Sequence, residues 1–238
     1  IELPQGEYSV TVTAEGYAAQ FADMDISASR NISFSLAQDT ILLSDDFESG
    51  AGNWTTGGEL TWAVDSRNSH SGLYSITDSP EVNYPSNISS AYIETSVDLT
   101  GYQAASLTFW HKYYLEPERD YGLVEVSTDG GGNWTELAAY DHHDCDWVQE
   151  IIDLSDYIGG NLNIRFNLMT DADINQPGWY LDDVEISAAD TSFSAAEDTP
   201  VPRSFSLGEP YPNPFNPEVR INYNLPRTQN LTVEVFNS

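Results

Sequence analysis

The chain is short of cysteine and of positive charge. Its 238 residues include one cysteine, and 38 acidic side chains stand against 8 basic ones, a formal net charge of −30. A single cysteine, Cys145, excludes an intrachain disulfide, so the fold depends on its core or on bound ions. The excess of acid disfavours binding to nucleic acid or to anionic lipid, because such a surface repels phosphate groups.

Long apolar runs are also missing. No stretch approaches the ~20 residues that a membrane-spanning helix needs, and no basic-then-apolar signal segment opens the chain. Aromatic residues nevertheless make up 12% of the sequence, whereas acidic disordered segments are poor in them. The sequence therefore predicts packed domains. Because the chain starts and stops inside apolar alternation, we expect it to be part of a longer protein.

Hydrophobic residues alternate with a period of two, and no helical apolar stripe is sustained anywhere, which predicts an all-β fold. Residues 188–206 are small, acidic and proline-containing, and they predict a linker. We therefore divide the chain into a module at 1–38, a block at 41–187, the linker and a module at 207–238. In the block we predict strands near 41–43, 60–64, 73–77, 90–98, 105–114, 121–127, 134–140, 147–153, 162–169 and 179–187.

The middle block contains recognisable phrases at its start and its end. These are Asp45-Asp46-Phe47-Glu48, the run Ser69-His70-Ser71-Gly72-Leu73-Tyr74-Ser75, and Gly178-Trp179-Tyr180-Leu181-Asp182-Asp183-Val184. With them the block resembles the MAM-like jelly rolls appended to secreted bacterial peptidases, including those of the immune-inhibitor-A type. The resemblance implies a central jelly-roll β-sandwich and a place outside the cell.

The same resemblance implies that carboxylates from the first and last strands of the jelly roll share a calcium ion. Calcium takes 6–8 oxygen ligands, and an acidic cluster without a cation suffers like-charge repulsion. Asp46 and Glu48 lie two apart, so an extended strand sends them to one face, whereas adjacent Asp182 and Asp183 point oppositely. We predict Asp46, Glu48 and Asp183 as ligands, with Asp182 and Asp78 as further candidates. The alternative is that these are ordinary solvated carboxylates.

Both ends of the chain resemble known modules. Leu3-Pro4-Gln5-Gly6-Glu7-Tyr8-Ser9-Val10 and Ala14-Glu15-Gly16-Tyr17 resemble the second half of a non-catalytic carboxypeptidase regulatory-like module, which is transthyretin-like. The proline cluster and strands from Leu207 to Pro226 resemble the start of an Ig-like type IX secretion sorting domain. That resemblance implies export through the type IX secretion machinery to the bacterial cell surface.

Two local motifs lie in the second half of the block. Ser127-Thr128-Asp129-Gly130-Gly131-Gly132-Asn133-Trp134 fits an Asp box, in which the Asp accepts hydrogen bonds from turn amides and the Trp packs beneath the hairpin. His142, His143 and Cys145 offer transition-metal ligands, but their spacing matches no established zinc pattern. We favour a polar hairpin loop before Trp147 over a metal site.

Aromatic residues invite two interpretations, a sugar-stacking platform and core packing. The residues concerned are Trp62, Trp110, Tyr113, Tyr114, Trp179 and Tyr180. Alternation along 109–114 puts Trp110, Lys112 and Tyr114 on one side of a strand, and the remaining three residues on the other. At least one of these two sets is expected to face the core.

No metalloprotease, nucleophile-elbow, phosphate-loop or dinucleotide motif is present. The sequence favours a non-catalytic, calcium-stabilised binding or adhesion region that is accessory to an upstream peptidase domain and takes a carbohydrate or protein ligand. One alternative is a structural cell-surface or filament subunit whose incomplete terminal modules assemble through β-strand complementation between chains. A second alternative is a glycan-active enzyme, which requires a catalytic pair of carboxylates in a cleft.

Overall fold

The computed structural model describes residues 6–14, 16–26, 31–190, 206–207, 220–224 and 233–235. Apart from one short 3-10 helix, every regular element in these ranges is a β-strand, which confirms the predicted all-β fold. No helix in the described part of the chain is long and apolar enough to cross a membrane. The chain divides into two compact units, one of Ile41–Gly101 and Leu107–Ile186, the other of Ile1–Thr40, Tyr102–Ser106 and Ser187–Ser238.

The unit that contains both ends of the chain has the strands β1 (Gly6–Ala14), β2 (Tyr17–Ile26), β3 (Asn31–Ser35), β15 (Ser206–Leu207), β16 (Arg220–Asn224) and β17 (Val233–Val235). They form two three-stranded sheets, with strand orders β17-β1-β2 and β15-β16-β3. β1 pairs in parallel with β17, and β3 pairs antiparallel with β16. Strands from the two predicted terminal modules therefore pair with each other within one chain.

The other unit is a sandwich of two sheets. The strands are β4 (Thr40–Asp45), β5 (Thr55–Gly58), β6 (Ala63–Asp65), β7 (Ser75–Thr77), β8 (Ala91–Asp98), β9 (Ala104–Tyr114), β10 (Tyr121–Ser127), β11 (Thr135–Tyr140), β12 (His143–Asp153), β13 (Asn161–Met169) and β14 (Gly178–Ala189). The first sheet has five strands in the order β11-β10-β13-β8-β5, and the second has six, in the order β12-β9-β14-β7-β6 with β4 also paired to β14. A 3-10 helix, Ser155–Tyr157, follows β12. The first and last strands of the sandwich thus lie side by side.

Strand β5 escaped the prediction, which placed a strand at 60–64 instead. Its sequence, Thr55-Thr56-Gly57-Gly58, shows no hydrophobic alternation. Both glycines are needed, because a Cβ at Gly57 would overlap the ring of Tyr92 and a Cβ at Gly58 would overlap the carbonyl of Ser90. Glycine in a strand often marks such a close approach, which residue-by-residue propensity reads as a turn.

The core between the two sheets is aromatic. Trp179 of β14 is fully buried, with its ring centre 5.6 Å from that of Phe166 and 5.9 Å from that of Trp62. Along β9, Phe109 and His111 are buried while Trp110 keeps partial exposure, so the predicted alternation of this strand is confirmed. Trp62, Trp179 and Tyr180 are buried, and of the aromatic residues proposed for a sugar platform these three belong to the interior.

Gly122 tests this packing. A Cβ there would lie 2.6 Å from the Trp179 ring, whereas a Cβ at Gly52 would meet nothing within 4 Å, and neither glycine has a positive φ. We expect Gly122→Ala to lower the free energy of unfolding by roughly 1–3 kcal/mol, the usual cost of overpacking a core. Gly52→Ala is the matched control and should leave it near the parent value. Urea unfolding measures both, and equal stabilities would contradict the proposed packing.

Candidate functional site

Carboxylates from both ends of the sandwich hold the segment 66–74, which connects β6 to β7 and is called here the β6–β7 segment. Glu48, just after β4, accepts hydrogen bonds at Oε1 from the backbone N–H groups of Leu73 (2.6 Å) and Tyr74 (2.7 Å). Gly72 is required beside it, because a Cβ at this position would overlap the Glu48 carboxylate. The carboxylate of Glu48 therefore fixes the second half of the segment.

Asp182 and Asp183 of β14 hold the first half of the segment. Asp182 Oδ2 accepts the backbone N–H groups of His70 (2.7 Å) and Ser71 (3.1 Å). Asp183 Oδ1 accepts the Ser71 hydroxyl (2.8 Å), and its Oδ2 lies 2.6 Å from His70 Nδ1. The expectation that these neighbours point to opposite faces is wrong, because Asp183 has a left-handed φ of 45° that breaks the alternation of the strand.

The other two predicted ligands lie elsewhere. Asp46 is exposed, and its Oδ1 accepts the backbone N–H of Glu48 (3.2 Å) in a local turn. Asp78 is buried beyond β7, where it accepts the backbone N–H of Trp179 (3.0 Å) and the hydroxyl of Ser79. The structure therefore brings Glu48, Asp182 and Asp183 onto the β6–β7 segment and places Asp78 against Trp179.

Burial sets the charge state of two of these acids. Desolvation raises the pKa of Asp78 to about 7, against the opposing effect of the Ser79 hydroxyl and the Trp179 N–H. Desolvation also raises the pKa of Asp182 to about 6, although backbone N–H groups of Ser71 and His70 favour its ionised form. Both carboxyl groups thus hold a proton more readily than an exposed aspartate does.

The donor chemistry at the β6–β7 segment suits a hard cation. Glu48, Asp183 and the Ser71 hydroxyl supply oxygen atoms, which are the ligands that calcium prefers. Asp182 is already committed to three backbone N–H groups, those of His70, Ser71 and Asp183. The partners of Asp183 are side chains, which can rotate away, and Glu48 uses Oε1 alone for the backbone N–H groups of Leu73 and Tyr74. Glu48 and Asp183 are therefore the carboxylates of this set best able to accept an ion.

A second acidic group was missed from the sequence. Within the described part of the chain, Glu116, Asp120 and Asp171 form the one set of three potential ligands whose ligand atoms all lie within 4.8 Å of one another. Asp120 is buried and accepts the Tyr84 hydroxyl (2.6 Å) at Oδ2 and the backbone N–H of Asp171 (2.8 Å) at Oδ1. Two loops distant in sequence contribute to it, so no spacing pattern announces it.

The residues around Cys145 do not form such a set. His142 has a left-handed φ of 72°, and its Nδ1 lies 2.8 Å from Asp141 Oδ1. β12 begins at His143, so the expected polar loop before Trp147 is instead a tight turn at 141–142 followed by strand. Among the described residues, His142, His143 and Cys145 do not belong to any set of three potential ligands at metal-binding distance.

The Asp box is confirmed as a structural turn. Asp129 accepts hydrogen bonds from the backbone N–H (2.9 Å) and the side-chain amide (2.7 Å) of Asn133 and from the Ser127 hydroxyl (2.7 Å). These donors lower the pKa of Asp129 to about 2, the Asn133 side chain most of all. A Cβ at Gly131 would lie 3.5 Å from the Trp134 ring, so the turn packs on this indole.

Residues 86–199 match the family model described as Immune inhibitor A-like, MAM domain. The chain is also similar to Bacillopeptidase F of Bacillus subtilis (strain 168), with 32% identity over 155 residues, which is 60% of this chain and 10% of that protein. The chain thus spans about a tenth of the length of this curated relative. The two matches support the predicted MAM-like jelly-roll region.

Solved structures of similar fold include the xylan-binding CBM22-1 domain of Paenibacillus barcinonensis Xyn10C, with a TM-score of 0.47 and 21% identity over 64% of this chain and 97% of that one. Another is the K3 cleaved adhesin domain of Lys-gingipain from Porphyromonas gingivalis, with a TM-score of 0.44 and 21% identity over 62% of this chain and 98% of that one.

His111 predicts a pH dependence of stability. Burial lowers its pKa from 6.5 to about 4, and its Nδ1 accepts the indole N–H of Trp179 (3.3 Å). The folded protein holds His111 in its neutral form, so the contribution of this residue to the free energy of unfolding is present above pH 6.5 and is lost as the pH falls towards 4. Between pH 7 and pH 5 the parent should lose about 2 kcal/mol in this way, and His111→Gln should not show this part of the loss.

Urea unfolding at the two pH values measures this difference. Parent and variant carry the same buried carboxylates, so the difference between them isolates His111. A glutamine at this position still offers an oxygen to the Trp179 indole. Parallel pH profiles for the two proteins would contradict the assignment of a neutral, buried imidazole.

Proposed function

We propose that this chain is a non-catalytic, extracellular binding and adhesion region whose jelly roll is stabilised by calcium and which serves as an accessory to a secreted peptidase. The carrying observation is the match of residues 86–199 to an immune-inhibitor-A-type MAM domain. The alignment with one tenth of Bacillopeptidase F supports a module within a larger peptidase. Carbohydrate is the proposed ligand class.

Export by type IX secretion belongs to the same proposal. Its support is the resemblance of the segment from Leu207 to Pro226 to a sorting domain, and most of this segment lies outside the described residues. The resemblance of the first 38 residues to a carboxypeptidase regulatory-like module also rests on the sequence. Both modules are consistent with a protein that acts outside the cell or on its surface.

Calcium is proposed to bind at Glu48 and Asp183. These carboxylates are separated by 135 positions in the sequence, yet they contact the same short segment. A cation there would tie the first and last strands of the jelly roll to the β6–β7 segment. The protein's residues would supply charge and oxygen atoms, and the ion would stabilise the folded state through binding.

A calcium titration tests this site by calorimetry. After treatment with chelator, we expect the melting temperature of the parent to rise with added calcium. The free energy of unfolding should increase by about 2.7 kcal/mol when the calcium concentration is 100 times the dissociation constant. The double variant Glu48→Gln, Asp183→Asn should lose this rise. The matched control Glu116→Gln, Asp171→Asn removes the same charge from the other acidic group and should keep it.

Two results would contradict the calcium proposal. An unchanged melting temperature of the parent in calcium and in chelator would exclude a stabilising ion. A rise that survives in the first double variant and disappears in the control would put the ion at Glu116, Asp120 and Asp171 instead.

A second candidate function is a structural subunit that polymerises by strand complementation. Its support is that β1 fits β17 and β3 fits β16 as pairing partners. The structure makes both pairings within one chain, and the same pairings exchanged between chains would link subunits. This candidate predicts an apparent mass that grows with protein concentration in small-angle scattering. A monomer at all concentrations would count against it and would leave the binding function intact.

A further inference from the structure

The outer face of the five-stranded sheet carries an unusual polar row. Glu125 of β10 lies opposite Arg165 of β13, which in turn lies opposite Glu94 of β8. Directly opposite residues of antiparallel strands project from the same face. The adjacent residues Val124 and Phe166 are fully buried in the core, so this row points away from it.

The polar groups at the centre of the row are recessed and fixed. Arg165 Nε donates to Glu125 Oε2 (2.8 Å), which also accepts the side-chain amide of Asn167 (3.0 Å). The Asn167 oxygen accepts the Ser90 hydroxyl (2.8 Å). The Arg165 side chain is 15% exposed, the Glu125 side chain 12% and Asn167 2%. Their positions are therefore set by packing and hydrogen bonds before any ligand arrives, which lowers the entropic cost of binding.

The guanidinium of Arg165 keeps donors in reserve. Its Nε is the nitrogen that hydrogen-bonds within the described part of the chain, and neither terminal nitrogen has a partner there. Both terminal nitrogens are accessible to solvent, because Gln20 Nε2 is the one buried side-chain polar atom without a hydrogen bond in the described part of the chain. Two aligned N–H donors on a rigid plane can bind a pair of neighbouring oxygen atoms on a ligand.

Aromatic rings flank the same guanidinium. The Arg165 Cζ atom lies 4.0 Å from the ring centre of Trp134 and 5.3 Å from that of Tyr92. The phenol of Tyr92 lies across Gly57 on the neighbouring strand, where a Cβ would overlap it. Tyr92 and Trp134 both keep partial exposure. Residues Tyr92, Glu94, Glu125, Trp134 and Arg165 together are called here the Arg165 face.

The chemistry of the Arg165 face selects one kind of ligand. Carboxylates of Glu94 and Glu125 accept hydrogen bonds, the terminal nitrogens of Arg165 donate them, and aromatic rings offer apolar surface. Glutamates on both sides of Arg165, in a protein of net charge −30, oppose an anion. Among the described residues, no member of this face belongs to a set of three potential metal ligands, which disfavours a metal cation. Sugar hydroxyls donate and accept hydrogen bonds, and pyranose C–H groups pack on rings.

We infer that the Arg165 face binds a neutral oligosaccharide, an inference that rests on the proposed binding function and names its site. On the outer face of the six-stranded sheet, one face of the Trp110 indole is already covered, because the ring of His70 stacks on it with centres 3.8 Å apart and planes 10° apart.

Native affinity electrophoresis in gels that contain a soluble polysaccharide tests the site. The probes are xylan, galactan, mannan and β-glucan as neutral polymers, and polygalacturonate and alginate as anionic ones, each in a separate gel. We expect at least one neutral polymer to retard the parent and neither anionic polymer to do so. Because of its net charge of −30, the protein enters such gels readily.

Two substitutions probe the face from different sides. Tyr92→Ala removes a ring, and Arg165→Lys keeps the charge beside Glu125 while losing the paired donors. Each should raise the dissociation constant for the retarding polysaccharide at least tenfold. Tyr157→Ala, a change at a partly exposed tyrosine of the 3-10 helix, lies outside the Arg165 face and both acidic groups, and this matched control should bind as the parent does. None of the three changes the net charge, so mobility without polysaccharide stays constant.

The outcomes separate this inference from the proposed function. If the parent is retarded and both face variants are retarded equally, the Arg165 face is excluded while a carbohydrate-binding function stands. Retardation of the parent by no neutral polymer would overturn both the site and the carbohydrate ligand. Should Tyr92→Ala fail to fold by circular dichroism, Arg165→Lys alone decides the result.

Discussion

Burial of the Trp179 indole is the interaction on which the sandwich depends. A buried indole needs a partner for its N–H group, and here that partner is the imidazole of His111, which must remain neutral to accept the hydrogen bond. The backbone N–H of Trp179 donates a hydrogen bond to the buried carboxyl group of Asp78. Gly122 leaves room for the ring on the opposite sheet. Burial around Trp179 thus both lowers the pKa of His111 and raises that of Asp78.

The pairing of β4 with β14 transmits this packing to the candidate cation site. It joins the beginning of the jelly roll to its end and so allows Glu48 and Asp183 to hold one segment between them. Because Asp183 has a left-handed conformation, the side chains of Asp182 and Asp183 both point towards that segment. Conformations of this kind are uncommon for non-glycine residues and occur often where a site must be shaped.

Much of the fold was predictable because its signal is local. Alternation along β9 predicted correctly that its residues divide between two faces, of which the one with Phe109 and His111 is buried, and the Asp box predicted its own turn. Strand β5 was not predictable, since its two glycines follow from the close approach of Tyr92 and of the Ser90 carbonyl. The arrangement of Glu116, Asp120 and Asp171, and that of Arg165 with its two rings, depends on register between strands and on loops that meet in space.

We propose that the jelly roll is a binding module whose ligand lies on the outer face of the five-stranded sheet. A crystal structure of the chain grown with calcium and a neutral oligosaccharide would locate this ligand. We expect sugar density against Tyr92, with hydroxyl groups at the terminal nitrogens of Arg165. Sugar bound elsewhere on the sandwich, with the Arg165 face open to solvent, would contradict it.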